Sequence, residues 1–202
     1  AVDSDFKRLL AYSSIENMGI LASVLGLAVV ATALHEPALA ELALAALLLH
    51  AVMHGVFKSL LFLGAGNVAE AAHTTDLEHL GGLRTSMPLT APMLLIGCAA
   101  AAALPPLAGF ASEWLVFTSF VRALSAAPTA LAALIAVGIG ILAATSGLAA
   151  LAFVKLFGVA FLGEPRTVHQ VTPEPADVSI AGLGWLAFLC IAFGLAPSIV
   201  MT

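Results

Sequence analysis

This sequence predicts an all-α fold: a polytopic membrane helix bundle of about six transmembrane helices with one Pro/Gly-broken region. Three observations carry that expectation. The first is composition: 61% of the 202 residues are hydrophobic and only 9% are charged, where a soluble domain carries about 25% charged residues. The second is the length of the apolar runs, several of which reach the ~20 residues a helix needs to cross a bilayer. The third is Pro105-Pro106, followed by Gly109, inside one long run; proline removes a backbone donor and clashes with the preceding turn. Mean hydropathy is +1.09, so the lipid bilayer is the solvent for most of the surface. The formal net charge of −5 includes no basic stripe, which excludes nucleic acid as a partner.

Residues 1–202 read as one transmembrane domain. The first span, Leu9 to Leu34, is interrupted only by Glu16 and Asn17 and ends at His35-Glu36-Pro37. The second runs from Leu42 to Val68 and contains His50, His54 and Lys58. A polar loop follows from Ala72 to Pro88, with Gly81-Gly82 and Arg84. The run from Leu89 to Leu124 is too long for one span, so the proline pair divides it into Leu89–Leu104 and Leu107–Leu124 with irregular, buried backbone between. Ala130 to Phe161 is the fifth span, long enough to tilt. Glu164 to Asp177, with Pro165, Pro173 and Pro175, is a loop, and Val178 to Val200 is the sixth span.

Six spans put both ends of the chain on one face, with Lys7, Arg8, Arg84 and Arg122; the other face carries Arg166 and Lys155. That excess is thin for the positive-inside rule, and orientation stays open. Cys98 and Cys190 are the two cysteines, each inside an apolar run, and read as small buried hydrophobes. The first residues include no initiating Met, and the first apolar run is too long for a signal-peptide core. The chain reads as beginning inside something longer.

Ionisable side chains within apolar spans cost several kcal/mol, so they tend to mark ion or proton paths. His50, His54 and Lys58 recur at steps of four residues, each step advancing about 400° around a helix, so they form one polar stripe. Histidine titrates near neutrality, and a candidate counter-charge for Lys58 is Glu113. The bland alternatives are a packing stripe or a lysine snorkelling to the headgroups. Glu113 follows the Pro/Gly break by four residues; broken helices build ion sites in transporters, although an acid there can also cap the restarted helix. Glu16, about two turns into the first span, divides evenly between capping and a proton role. Lys155, near the end of the fifth span, invites the snorkelling alternative. Two histidines at i, i+4 without HExxH or a third ligand give little support for metal.

Three segments resemble, in order, the antiporter-like proton-conducting subunits of respiratory complex I, Mrp-type antiporters and membrane-bound hydrogenases. They are Asp5-Phe-Lys-Arg-Leu-Leu-Ala-Tyr-Ser-Ser-Ile-Glu-Asn-Met-Gly19, the His50-x-x-x-His54-x-x-x-Lys58 helix, and Asp76-Leu-Glu-His-Leu-Gly-Gly-Leu-Arg84. Ser14-Ile-Glu-Asn-Met-Gly, Leu104-Pro-Pro-Leu-Ala-Gly-Phe-Ala-Ser-Glu-Trp and Lys155-Leu-Phe-Gly-Val-Ala-Phe-Leu-Gly-Glu-Pro-Arg look most like the hydrogenase branch, of formate hydrogenlyase and hydrogenase-4 type. The resemblance implies a C-terminal half: one five-helix half-channel repeat plus one helix, in a prokaryotic inner membrane. It implies proton translocation for a redox-driven complex through His50, His54, Lys58 and Glu113, with Glu16 and Lys155 as further relay candidates. Implied partners are other membrane subunits, a peripheral arm with iron–sulfur clusters, and the N-terminal half of the same subunit; no cofactor is expected in this chain. A Mrp-type cation/proton antiporter keeps the same relay. A haem-bearing electron-transfer subunit would use His50 or His54, but no other span offers an interior histidine as second ligand. A purely structural anchor leaves the intramembrane charges without a purpose.

Overall fold

The computed structural model describes residues 3–166, 172, 174 and 177–201. Its elements are α1 (Phe6–Ala33), α2 (Pro37–Ala72), α3 (Leu83–Ser86), α4 (Thr90–Ala101), α5 (Ala108–Ala126), α6 (Thr129–Phe161), α7 (Asp177–Leu195) and α8 (Ser198–Met201). Each starts and stops for a local reason. Asp5 caps α1, its carboxylate accepting the Arg8 N–H at 2.8 Å. Pro37 opens α2, where its missing N–H has no helical partner to lose. His73, in the left-handed conformation, closes α2.

The six expected helices are all present, and two of them, α4 and α5, share one direction. Leu94 of α4 lies against Gly64 of α2, and Gly97 against Leu60 and Leu61. Ser112 of α5 then reaches His50, and Val116 and Phe120 cluster with Leu39, Ala43 and Ala46. Contact therefore moves steadily back along α2, and α4 and α5 run in the same direction as two halves of one crossing. At 12 residues, α4 is about 18 Å long and cannot span the ~30 Å hydrocarbon core alone. Among the described residues α4 and α5 together make one traverse alongside α2, and α7 ends at Leu195 beside the linker between them. The sequence reading has α5 turn back after the break, whereas the structure carries it on in the direction of α4. The last helix also stops early, at Leu195, with Pro197 separating it from the turn of α8.

At mid-depth the break solves its own backbone problem. Leu104 N–H bonds to Ala99 O and Ala103 N–H to Ala100 O, both at 3.0 Å, the paired bonds of a Schellman cap. The two following residues are prolines, which bring no N–H that lipid would leave unsatisfied. The expectation of a buried linker holds only at its ends: Ala102 and Leu107 are buried, whereas Leu104, Pro105 and Pro106 are exposed on the described surface. Gly109 then packs its backbone on Ala100 O, where any Cβ would overlap. Gly194 lets α7 cross the linker in the same manner against Pro106 and Leu107.

One face of the bundle is tied into a rim. Phe6 N–H bonds to Thr75 O at 2.8 Å and Leu77 N–H to Ser4 O at 2.7 Å. Thr75 Oγ1 donates to the Asp5 carboxylate at 2.6 Å, and Arg166 Nη1 donates to Leu77 O at 3.2 Å. The Glu174 carboxylate accepts the Leu89 and Thr90 N–H groups at the start of α4. Of the expected loop from Glu164 to Asp177, residues 167–171, 173, 175 and 176 lie outside the described residues.

Candidate functional site

The helices α1, α4, α5 and α7 pack around α2, and its polar stripe turns inward. His50 is 0% exposed, Lys58 5% and His54 9%, so the lysine does not snorkel. Lys58 Nζ donates to Leu10 O at 3.1 Å and to the Ser13 hydroxyl, and it sits 5.6 Å from the centre of the Phe153 ring. Charge-assisted bonds contribute about 1.5–3 kcal/mol each, and a desolvated cation over a ring about 2 kcal/mol. Together these are comparable with the several kcal/mol that burying an ammonium costs.

Ser13 Oγ also donates to Leu10 O at 3.1 Å. A protonated Lys58 uses that hydroxyl as an acceptor; a neutral amine can take it as a donor instead. The contact thus accommodates both states of the lysine. The carboxylate within electrostatic reach of Lys58 is Glu16 rather than Glu113, which corrects the expected pairing.

Four residues before His54, the His50 ring is held from both sides. Its Nε2 meets Asn17 Oδ1 at 3.0 Å, and its Nδ1 meets Ser112 Oγ at 3.0 Å. The Asn17 amide donates to Ser13 O at 2.7 Å. His54 stands between the two ends of the stripe, its ring centroid 6.4 Å from that of His50 and edge-on to Phe57 at 5.4 Å. His54 Nε2 has no hydrogen-bond partner among the described residues.

The acids lie beside this line. Glu113 follows Ser112 on α5 and accepts from Ser146 Oγ of α6 at 2.9 Å. Glu16, half-buried on α1, borders a cavity of about 250 Å³ shared with Tyr12, Ser13 and Thr145. It also borders a second cavity on the α6 side, of about 440 Å³. Glu16 is within electrostatic reach of both Lys58 and Glu113. Lys155 is half-buried on α6, and the bonds joining Lys58 to His50 do not pass through it.

The transmembrane family described as "NADH:quinone oxidoreductase/Mrp antiporter, TM" matches residues 1–142. The chain belongs to that family. It is 41% identical to hydrogenase-4 component B of Escherichia coli K12 over 197 residues, covering 97% of this chain and 29% of that protein. It is 42% identical to formate hydrogenlyase subunit 3 of the same organism, covering 96% of this chain and 32% of that protein. In three dimensions it superposes on a chain of the membrane-bound sulfane sulfur reductase, an archaeal respiratory membrane complex. The TM-score there is 0.78 at 29% identity, covering 98% of this chain and 29% of that one. This antiporter-family chain therefore spans about a third of the length of the curated relatives it matches.

The sequence reading missed the residues that orient the stripe. Ser13, Asn17 and Ser112 are all buried, and each supplies a bond to Lys58 or His50. A signal was present: Ser13 and Asn17 stand four apart, one helical turn on one face, within the first apolar span. Ser112 stood beside the acid that drew attention instead.

Proposed function

We propose that this chain is part of the antiporter-like membrane subunit of a redox-driven complex, and that it conducts protons between the middle of the membrane and one surface. The observation that supports it is the inward stripe of Lys58, His54 and His50, with each end faced by a serine hydroxyl able to reverse its hydrogen bond. An amide such as Asn17 holds a ring but does not carry a proton at neutral pH. Protons therefore pass along α2 itself, from Lys58 to His54 and on to His50, with water bridging the gaps. The open Nε2 of His54 suits that middle position. Glu113 lies at the break end of the line, and Glu16 supplies the negative charge opposite Lys58. Lys155, on the far helix, hands protons between this unit and what lies beyond α6.

Redox chemistry belongs to partner subunits in this reading: further membrane subunits, a peripheral iron–sulfur arm and the N-terminal half of the subunit, in a prokaryotic inner membrane. No cofactor is held by this chain. Lys7, Arg8, Arg84 and Arg166 gather at the rim that joins Asp5, Thr75 and Leu77, and the positive-inside rule directs that face to the cytoplasm. The test is proton uptake by vesicles carrying the complete complex during redox turnover. Uptake that persists without sodium and collapses with a protonophore supports the proposal. Turnover that moves sodium in place of protons points to cation antiport, and turnover that moves no ion contradicts conduction.

A further inference from the structure

We propose that the Ser112 hydroxyl is a two-position switch that delivers protons to His50 Nδ1 and signals the charge of that ring to the broken end of α5. The inference rests on the conducting role proposed above and deepens it. Asn17 fixes the first half of the argument. Its Nδ2 donates to Ser13 O at 2.7 Å, and turning the amide over would set two acceptors at that distance. Oδ1 therefore faces His50 Nε2, an oxygen that can only accept, so Nε2 keeps its hydrogen in both charge states. The proton that comes and goes is the one on Nδ1.

Ser112 supplies the second half. Its Oγ lies 3.0 Å from His50 Nδ1 and 3.0 Å from Gly109 O, with one hydrogen to give. When His50 is an imidazolium, Nδ1–H donates to Oγ and the hydroxyl donates to Gly109 O; both contacts are made. When His50 is neutral, Nδ1 and Gly109 O are both acceptors, and the hydroxyl can satisfy one of them. It turns to Nδ1, and Gly109 O loses a bond.

Loading the ring balances through the same atom. A bridging water protonated by His54 gives its proton to Oγ as the Ser112 hydroxyl hydrogen passes to Nδ1. The serine O–H and one O–H of the protonated water break as a new serine O–H and the Nδ1–H form, the donor leaves as water, and the new hydroxyl hydrogen swings to Gly109 O. That carbonyl sits one helical turn before Glu113 and in the turn whose backbone rests on Ala100 O. The state of His50 is thereby coupled to the joint between α4 and α5. The ionisable side chains on the helices packed about α2 here are Glu16 of α1, Cys98 of α4, Glu113 of α5 and Cys190 of α7, with His54 and Lys58 on α2 itself.

The experiment uses the full-length subunit in its complete complex, in vesicles, comparing Ser112→Ala, Ser112→Thr and Lys58→Met. Ser112→Ala is expected to slow proton uptake about tenfold or more, and Ser112→Thr, which keeps the hydroxyl, to restore it. Should Ser112→Ala fail to assemble, Ser112→Cys, a weak donor of similar size, carries the same expectation. Histidine-selective ¹⁵N spectra should show neutral His50 with its hydrogen on Nε2, in wild type and in Ser112→Ala alike. Wild-type uptake in Ser112→Ala while Lys58→Met is blocked would overturn the switch alone. Normal uptake in both variants would overturn the conducting role as well. A neutral His50 carrying its hydrogen on Nδ1 would remove the basis of the switch.

Discussion

Asn17 and His50, on adjacent antiparallel helices, meet at 3.0 Å through Oδ1 and Nε2, and the amide is locked by its bond to the Ser13 carbonyl. Two buried polar groups that find each other across a helix pair contribute about 1 kcal/mol in a membrane protein. Asn17→Ala is therefore expected to lower the stability of the subunit by roughly that amount, and to release the tautomer of His50. Denaturant unfolding in detergent reads the first effect and histidine-selective ¹⁵N spectra the second. An unchanged spectrum would show that the ring is held by something other than Asn17.

The rim has its own pH dependence. Burial opposes ionisation of Asp5, but bonds from the Thr75 hydroxyl and from the Arg8 and Lys7 N–H groups outweigh it and hold the carboxyl below its ordinary value. Folding thus favours the ionised form. The stabilisation is complete above the ordinary carboxylate value of about 3.9 and is lost as pH falls below it toward the folded value. Exchange of the Phe6 and Leu77 amides, corrected for intrinsic rate, should accelerate in that acid window. Thr75→Val should weaken the dependence; an identical profile in the variant would contradict the assignment.

The shared direction of α4 and α5 changes what the basic residues say about orientation. Arg122 now stands on the face opposite Lys7, Arg8, Arg84 and Arg166, so the excess at the rim is four to one among these arginines and lysines. Single cysteines at the exposed His79 and Ser125 should report this against a quiet background, because Cys98 and Cys190 are buried. A membrane-impermeant thiol reagent should label Ser125→Cys in intact cells and His79→Cys only in inverted vesicles. The reverse pattern would place the rim on the outside.

Much of this was legible in the sequence because lipid leaves few ways to hide a charge. The i, i+4 spacing of His50, His54 and Lys58 gave one face, and the burial of all three followed from the cost of the alternative. Pro105-Pro106 marked the break to within a few residues. The direction of α5 was not legible, since a proline break says where a helix stops and nothing about whether the chain turns back. Nor was the counter-charge of Lys58. Glu113 was nearer to the break, but the crossing of α1 over α2 brings Glu16 and Ser13 to the lysine, and only packing determines that crossing.

The central claim is that Lys58 carries the transported proton, and its most direct measurement is the proton-to-electron ratio of vesicles containing the complete complex. Lys58→Met keeps length and apolar bulk while removing the exchangeable proton, and Lys58→Arg keeps a charge that hardly ever leaves. Both variants should assemble and move far fewer protons per electron than wild type. A wild-type ratio in Lys58→Met would make Lys58 a structural lysine and contradict the account.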